Sequence, residues 1–83
     1  MVAETSRAAY HQLRNEGTQK QRILAALELG PASDAVLEKR TGIRRTSVTA
    51  RRNALLDAGK VRPAYEDIDA ETGVTVQLWE LVR

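Results

Sequence analysis

The sequence contains no cysteine and no phenylalanine, and its aromatic residues amount to two tyrosines and one tryptophan. Without cysteine, the chain can form neither a disulfide scaffold nor a thiolate metal site. No apolar run approaches the roughly 18 residues that span a bilayer. The segment Met1–Arg7 has neither the basic start nor the apolar stretch of a signal peptide. These absences predict a cytoplasmic chain without a membrane partner.

Catalytic and metal-binding patterns are missing as well. The single histidine, His11, has no cysteine or second histidine beside it, and the sequence has no glycine-rich phosphate loop. Asp67, Asp69 and Glu71 have the spacing that opens a calcium loop, but Thr72 stands where that loop needs glycine. A chain of 83 residues buries only about 60% of its unfolded surface, which leaves little room for a deep catalytic pocket. The sequence predicts a protein that is not an enzyme and uses no cofactor or metal.

The composition that is present is typical of one small globular domain. Apolar residues, counted with tyrosine and tryptophan, make up 42% of the chain and charged residues 29%, with a formal net charge of +2. Such a composition is not that of a disordered chain. The glycines divide the sequence into pieces of helix length, followed by a C-terminal part with a different period. They are Gly17, Gly30, Gly42, Gly59 and Gly73.

Two helices are predicted in the first part of the chain. The first covers Thr5–Glu16 and has a thin apolar stripe. The second begins with a capping box, in which Thr18 is the N-cap and Gln21 the third helical residue, and it ends at Gly30. Its core face is expected to be Ile23, Leu24 and Leu27, with Ala26 and Leu29 beside them.

Two further helices are predicted around Gly42. Ser33 caps a short third helix that carries Asp34 in its first turn, and Gly42 terminates this helix in a left-handed conformation. The fourth helix runs from about Arg45 to Ala58. Its inward stripe is expected to consist of Val48, Leu55 and Leu56.

The last part of the sequence has the period and turn residues of a β-hairpin. Val61–Tyr65 forms the first strand, Asp69–Gly73 the turn, and Val74–Val82 contains the second strand. Trp79 is expected to close the core rather than to stack on nucleic-acid bases. The helices and the hairpin together predict a mainly α chain with a C-terminal β-hairpin, which is an α+β fold.

Positive charge is concentrated around the turn between the third and fourth helices. Between Lys39 and Leu56 there are six basic residues and no acid. A cationic helix entry of this kind is what contacts with nucleic-acid phosphates require. A solvated helix face is the alternative reading, and it is weaker here because the cluster coincides with a helix-turn-helix pattern. The basic residues are Lys39, Arg40, Arg44, Arg45, Arg51 and Arg52.

The segment from Ala32 to Val61 resembles a winged helix-turn-helix domain of the MarR-like and small phage-encoded kind. The resemblance rests on the short helix ending Arg40-Thr41-Gly42-Ile43, on the following run Arg44–Arg52, and on the phrase Leu55-Leu56-Asp57-Ala58-Gly59-Lys60-Val61. It implies a winged-helix domain at residues 18–83 with a three-helix core, preceded by a helical extension at residues 1–17. It also implies sequence-specific binding of double-stranded DNA, in a nucleoid or a host cytoplasm, by a small transcriptional regulator or a phage or prophage accessory protein.

Helix geometry assigns roles to the side chains of the fourth helix. Thr46, Thr49 and Asn53 are expected to reach base edges, since asparagine can pair with adenine through two hydrogen bonds. Ala50 lets the helix sit close in the groove, and Ser47 and Thr49 lie on the flanks. Lys39, Arg44, Arg45 and Arg51 are expected to contact phosphates, with guanine readout as the alternative for Arg45. Plain capping and solvation remain the alternative for Thr46, Ser47 and Thr49.

Two features depart from the family pattern. Arg52 occupies a position that normally holds an aliphatic core residue, so a structural role is expected for it, with its charge at the surface or paired with Glu28 or Glu38. Residues 60–83, which include the wing, carry three positive and five negative charges. Phosphate should repel such a wing. A second hypothesis is therefore a protein-interaction module whose acidic wing docks on a polymerase, replication or host-defence protein.

Thr5–Leu13 is expected either to mediate a homodimer or to pack on its own core.

Overall fold

Three helices precede an antiparallel hairpin in the computed structural model, which describes residues 17–83. Helix α1 is seen at residues 17–27, α2 spans Asp34–Thr41 and α3 spans Arg45–Asp57. Strands β1 at Val61–Ile68 and β2 at Thr75–Leu81 form the hairpin. This order confirms the predicted α+β class. The predictions for Thr5–Glu16 and His11 fall outside the described residues.

The predicted start of α1 is wrong. Residues 17 and 18 are already helical, so Thr18 lies within the helix and is not its N-cap. A threonine followed three residues later by glutamine also fits an exposed helical turn, and the pattern alone cannot separate the two cases. Leu29 was expected beside the core but is 77% exposed, because the helix ends at residue 27. Ile23 and Leu27 are buried as predicted.

The predicted ends of α2 are confirmed. The Ser33 hydroxyl accepts a hydrogen bond from the amide of Val36 at 3.3 Å, which satisfies a donor of the first turn. Gly42 adopts φ +73° and donates its amide to the carbonyl of Glu38 at 2.8 Å. This left-handed residue terminates the helix and redirects the chain toward α3.

Two arginines join α1 and α2, because each donates to carbonyl groups at the C-terminal end of the other helix. Arg40 in α2 donates to the carbonyls of Ala26 and Gly30 at 3.1 and 3.0 Å. Arg22 in α1 donates in return to the carbonyl of Thr41. The last carbonyls of a helix lack partners within the helix, and a cation there also complements the helix dipole. The position of α2, and hence of the turn into α3, follows from these contacts.

The hairpin is longer on its first strand than predicted and contains a bulge. β1 continues past Tyr65 to Ile68, since residues 66–68 still pair with β2. The register shifts between Pro63 and Glu66, so that Ala64 and Tyr65 lie opposite Leu78. In the turn, the Asp69 carboxylate accepts from two backbone amides, those of residues 71 and 72, at 2.8 and 3.3 Å.

A single bridge ties the segment between α1 and α2 to the hairpin. Ala32 and Trp79 exchange both backbone hydrogen bonds, at 3.0 and 2.9 Å. The core lies between the three helices and the base of the hairpin. Val48 and Leu55 of α3 are buried as predicted, and Leu56 packs against the core from a partly buried position. The buried apolar residues are Ile23, Ala26, Leu27, Ala32, Leu37, Ile43, Val48, Leu55 and Val61.

Candidate nucleic-acid interface

A three-residue turn positions α3 relative to α2. Gly42 reverses the chain, and Ile43 anchors the turn in the core. The Thr41 hydroxyl donates to the carbonyl of Leu37 at 2.7 Å and accepts the amide of Ile43 at 3.1 Å. A turn of this length that contains glycine is the usual connection in a helix-turn-helix motif. The start of α3 is thus held rigidly against the end of α2.

Opposite faces of α3 have opposite environments. Val48, Arg52 and Leu55 are buried, at intervals of four and three residues. Thr46, Ala50 and Asn53 are exposed at the same intervals, and we call these three residues the exposed stripe. Helical periodicity produces this division. The exposed stripe carries no charge, and its central residue has only a methyl group.

The N-terminus of α3 is capped from α2. Arg44 precedes the helix and provides no side-chain cap. Instead, Glu38 accepts the backbone amide of Arg45 through Oε2 at 2.9 Å. Its Oε1 accepts from the Arg45 guanidinium, from Nε at 3.1 Å and Nη2 at 2.9 Å. A carboxylate at this position satisfies a free donor and the positive end of the helix dipole.

The predicted phosphate-binding residues have different partners. The Arg44 side chain is exposed and makes no hydrogen bond or ion pair with any residue between 17 and 83. Arg45 is paired with Glu38, and Lys39 with Glu71 of the hairpin turn. Arg51 is half-buried, as is Ser47. Lys39 and Arg45 therefore form ion pairs with acids that lie 32 and 7 residues away along the chain. The local sequence around each base does not indicate these partners.

Thr49 does not present its hydroxyl to a base in this structure. The residue is half-buried, and its Oγ1 donates to Asp34 Oδ2 at 2.9 Å. The sequence places Thr49 on the flank of the outward face and predicts that it reaches a base edge; in the structure α2 packs close enough for Asp34 to accept its hydroxyl proton. Thr46 and Asn53 are exposed as expected.

Arg52 has the predicted structural role but a different acidic partner. It is 8% exposed and pairs with Asp34, through Nε to Oδ1 at 2.8 Å and Nη2 to Oδ2 at 2.7 Å. The predicted partners are wrong, since Glu38 binds Arg45 and Glu28 binds Arg83. The two-point geometry joins the planar guanidinium to both carboxylate oxygens, which is the strong form of the interaction.

Asp34 and Trp79 complete this cluster, and sequence reasoning assigned them no part in the site. The Arg52 guanidinium lies 4.0 Å from the centroid of the Trp79 ring, within the range of a cation–π contact. Burial of Asp34 tends to raise its pKa. Hydrogen bonds from Arg52 and Thr49, and the charges of Arg52 and Arg45, outweigh burial, and the pKa lies below its ordinary value. The signal in the sequence was Arg52 itself, since a buried guanidinium needs an acid within reach.

The acids of the hairpin are divided between structure and surface. Asp69 holds the turn through backbone amides, and Glu71 pairs with Lys39. Glu66 and Asp67 are exposed in β1.

Within residues 17–83, no group of three or more histidine, cysteine or acidic side chains has an arrangement that could hold a metal ion. In the same range, no helix has the length and hydropathy needed to cross a membrane.

Comparison with known proteins gives no family for the chain. No protein-family model matches the sequence, and no curated protein matches it either.

Proposed function

We propose that this protein has a winged-helix fold and binds double-stranded DNA with α3 in the major groove. The order of elements supports the fold, because three helices with a short turn between α2 and α3 lead into a hairpin. The Ala32–Trp79 bridge adds to this support, since it joins the segment before α2 to the hairpin as a minimal third strand. A role as a small transcriptional regulator or accessory DNA-binding factor follows from this activity.

The observation that carries the proposal is the exposed stripe of α3. An α-helix with its side chains is about 10–12 Å wide and the major groove about 12 Å, so a helix enters best with small side chains toward the bases. Thr46, Ala50 and Asn53 are uncharged, exposed and small to medium in size. Thr46 and Asn53 supply hydrogen-bonding groups, and Ala50 supplies a surface for a thymine methyl.

Phosphate contacts come from the basic residues at the start of the helix. The Arg44 side chain is exposed and has no hydrogen-bond or ion-pair partner between residues 17 and 83, so a phosphate contact replaces no side-chain contact there. Arg45 and Lys39 are held in exposed ion pairs, with side chains 52% and 61% exposed. Exposed pairs contribute about 0–1 kcal/mol, which a phosphate contact can replace. The acidic β1 strand is expected to stay away from the DNA backbone.

A salt titration with a matched pair of variants tests the proposal. Binding to a fluorescent random duplex is followed by anisotropy from low to physiological salt. Wild type should lose affinity steeply, with a log–log slope of several units. Arg44→Ala should reduce that slope by about 0.9, the contribution of one phosphate.

Arg62→Ala is the control for this experiment. It removes one positive charge from the hairpin, where Arg62 pairs with Glu80 and lines a groove beside the end of α1. Its salt slope should equal that of wild type. Absence of binding at low salt would contradict DNA binding itself. Equal effects of the two substitutions on the salt slope would show that the start of α3 is not the DNA-binding face.

A protein-interaction module is the second candidate, and the charge distribution of the hairpin favours it. Glu66 and Asp67 are exposed, and the apolar residues Ile68 and Val74 are 66% and 58% exposed near them. A groove of about 410 Å³ lies between the hairpin, the first turn of α2 and the side chains of Arg45 and Arg52 in α3. For this candidate, Glu66→Gln with Asp67→Asn should abolish capture of a protein partner, and Arg44→Ala should leave it unchanged.

A further inference from the structure

Side chains from two other elements, α2 and β2, fix the orientation of the Arg52 guanidinium. Asp34 at the start of α2 binds it at two points, at 2.8 and 2.7 Å. Trp79 of β2 lies under it, with 4.0 Å between the guanidinium carbon and the ring centroid. The side chain is 10% exposed. A buried guanidinium held in this way has one orientation, and only Nη1 remains directed away from Asp34.

Asp34 is equally constrained. Its Oδ2 accepts from Thr49 at 2.9 Å in addition to Arg52, so that both carboxylate oxygens have partners. The pKa of Asp34 lies below its ordinary value for the reasons given above, and the carboxylate is therefore ionised at neutral pH. At neutral pH, Asp34 and Arg52 are thus both charged and joined by two hydrogen bonds.

The remaining guanidinium nitrogen contacts Asn53 on the exposed stripe. Arg52 Nη1 donates to Asn53 Oδ1 at 2.6 Å. A guanidinium has donors only, so the amide oxygen must face it and the amide nitrogen must point away. Asn53 is itself exposed. Its two amide hydrogens are consequently the groups that it offers to a ligand.

We infer that Arg52 is a positioning residue for base recognition, and that it orients Asn53 to donate to hydrogen-bond acceptors on a purine edge, guanine above all. The inference rests on the proposed DNA-binding function and specifies what one residue of the stripe contacts. Arg52 itself touches no base.

The chemistry of the base edges selects guanine. In the major groove, guanine presents two adjacent acceptors, N7 and O6, whereas adenine presents one acceptor and one donor. The double contact of asparagine with adenine uses the amide oxygen as an acceptor and the amide nitrogen as a donor. In this protein Arg52 already holds that oxygen. The oxygen keeps a second lone pair but is turned toward the buried guanidinium, so the two amide hydrogens are the groups directed outward, and they match an edge that has only acceptors.

The test begins with selection of preferred duplexes from a randomised pool by the wild-type protein. Each selected guanine is then replaced in turn by 7-deazaguanine, which lacks the N7 acceptor, and affinity is measured by anisotropy. One replacement should weaken wild-type binding by about tenfold, within the range of a good base contact. Asn53→Ala should bind both duplexes alike. Thr46→Ala, a control on the same stripe, should retain the tenfold ratio at that position.

Arg52→Lys tests the positioning role, since it keeps the charge but loses the planar fork. The ratio between the two duplexes should fall toward one, and the residual affinity should stay salt-dependent. Asp34→Asn, which releases the guanidinium without removing it, should act in the same direction. Circular dichroism at the binding temperature establishes which of these two variants is folded, and either folded variant is sufficient for the test. Asn53→Asp, which retains an acceptor toward Arg52 but has no amide hydrogens, should also show a ratio of one.

Three other outcomes would each contradict a different claim: the positioning role of Arg52, the contact with a guanine acceptor, or DNA binding itself. If a folded Arg52→Lys or Asp34→Asn keeps the tenfold ratio, Arg52 does not position Asn53. If wild type binds duplexes but tolerates 7-deazaguanine at every position, the acceptor assignment is wrong while DNA binding stands. If wild type binds no duplex at low salt, the proposed function itself fails and this inference fails with it.

Discussion

At the scale of single residues, Arg52 is the clearest exception to the apolar periodicity of α3. It stands between Val48 and Leu55 on the buried face of α3, where periodicity calls for an aliphatic side chain. The charge is tolerated because Asp34 neutralises it and Trp79 covers it. A buried cation without such partners would cost several kcal/mol, on the order of the whole stability of a small domain.

The ion pair between Asp34 and Arg52 should make stability depend on pH in the acid range. Because the pKa of Asp34 is lower in the folded protein, the unfolded chain binds the proton more readily. The stabilisation is complete above the unfolded pKa of about 3.9 and is lost as the pH falls through the lower folded value. Urea unfolding between pH 7 and pH 2.5 measures this loss.

Asp34→Asn should destabilise the protein at pH 7 by about 1.5–3 kcal/mol, the usual contribution of hydrogen bonds to charged groups. The difference between wild type and this variant should shrink as the pH falls below about 4. Asp57→Asn, at an exposed position at the end of α3, is the control and should leave the free energy of unfolding nearly unchanged at pH 7. A constant difference between wild type and Asp34→Asn down to pH 2.5 would show that Asp34 does not carry the effect.

At the scale of elements, the turn between α2 and α3 determines how the exposed stripe is presented. The left-handed Gly42, the hydroxyl of Thr41 and the anchor Ile43 fix the angle between the helices. Glu38 then caps α3 from α2, so the two helices share one polar contact at their junction. A change in this turn should therefore alter both stability and any binding by α3.

Two glycines in different conformations should respond oppositely to alanine. Gly42→Ala should cost about 1–2 kcal/mol, because alanine is strained at φ +73° although a Cβ there would meet only Arg22 Nη2 at 4.0 Å. Gly17→Ala should stabilise by up to about 1 kcal/mol, since Gly17 is helical and exposed, and a Cβ there would meet no atom within 4 Å among residues 17–83. Chemical denaturation of both variants gives the two signs.

Gly42→Asn serves as a further check on the turn, because asparagine tolerates the left-handed region better than alanine does. Its loss of stability should be smaller than that of Gly42→Ala. Equal losses would point to contacts of the added side chain rather than to backbone strain.

At the scale of the whole molecule, folding changes the charge that the basic cluster presents. Six basic residues without an acid between Lys39 and Leu56 predict a strongly cationic face. In the structure, Asp34, Glu38 and Glu71 each pair with one of these residues. Of the remaining three, Arg40 is engaged with carbonyls of α1 and its following turn. The cationic face is therefore narrower than the sequence indicates and is centred on the start of α3.

Glu71→Gln should strengthen duplex binding by about two- to fivefold at low salt, because it releases Lys39 from an exposed ion pair. Glu66→Gln is the matched control. It removes the same charge from an exposed residue that has no ion pair within the described range, and it should give a smaller gain. Anisotropy titrations of both variants measure the gains, which should disappear at high salt. Equal gains would mean that net charge alone, and not Lys39, accounts for the effect.

The local features of the fold could be predicted from neighbouring residues. The cap at Ser33, the left-handed Gly42, the bounds of α3 and the turn at Asp69–Gly73 all depend on side chains and backbone angles within a few positions. Periodicity likewise identified the buried Val48 and Leu55. The start of α1 was missed because a capping-box pattern is compatible with a helix interior.

The candidate site was only half predictable. The exposed stripe of Thr46, Ala50 and Asn53 follows from helix geometry, and the sequence predicted it correctly as a surface. The partners of Thr49 and Arg52 could not be assigned, because both side chains bind Asp34, which is 15 and 18 residues away along the chain.

By itself, the amino-acid sequence determined the element order, the α+β class and the two faces of α3, because these depend on local propensity and on helical and strand periods. The tertiary structure decided which acid neutralises which base and where the amide of Asn53 points. The ion pairs join residues on different elements, and Arg52, which contacts the amide of Asn53, is itself oriented by Asp34 and Trp79. The strength of these contacts depends on distances of a few ångströms and on burial from water. Neither quantity exists before the helices and the hairpin have packed together.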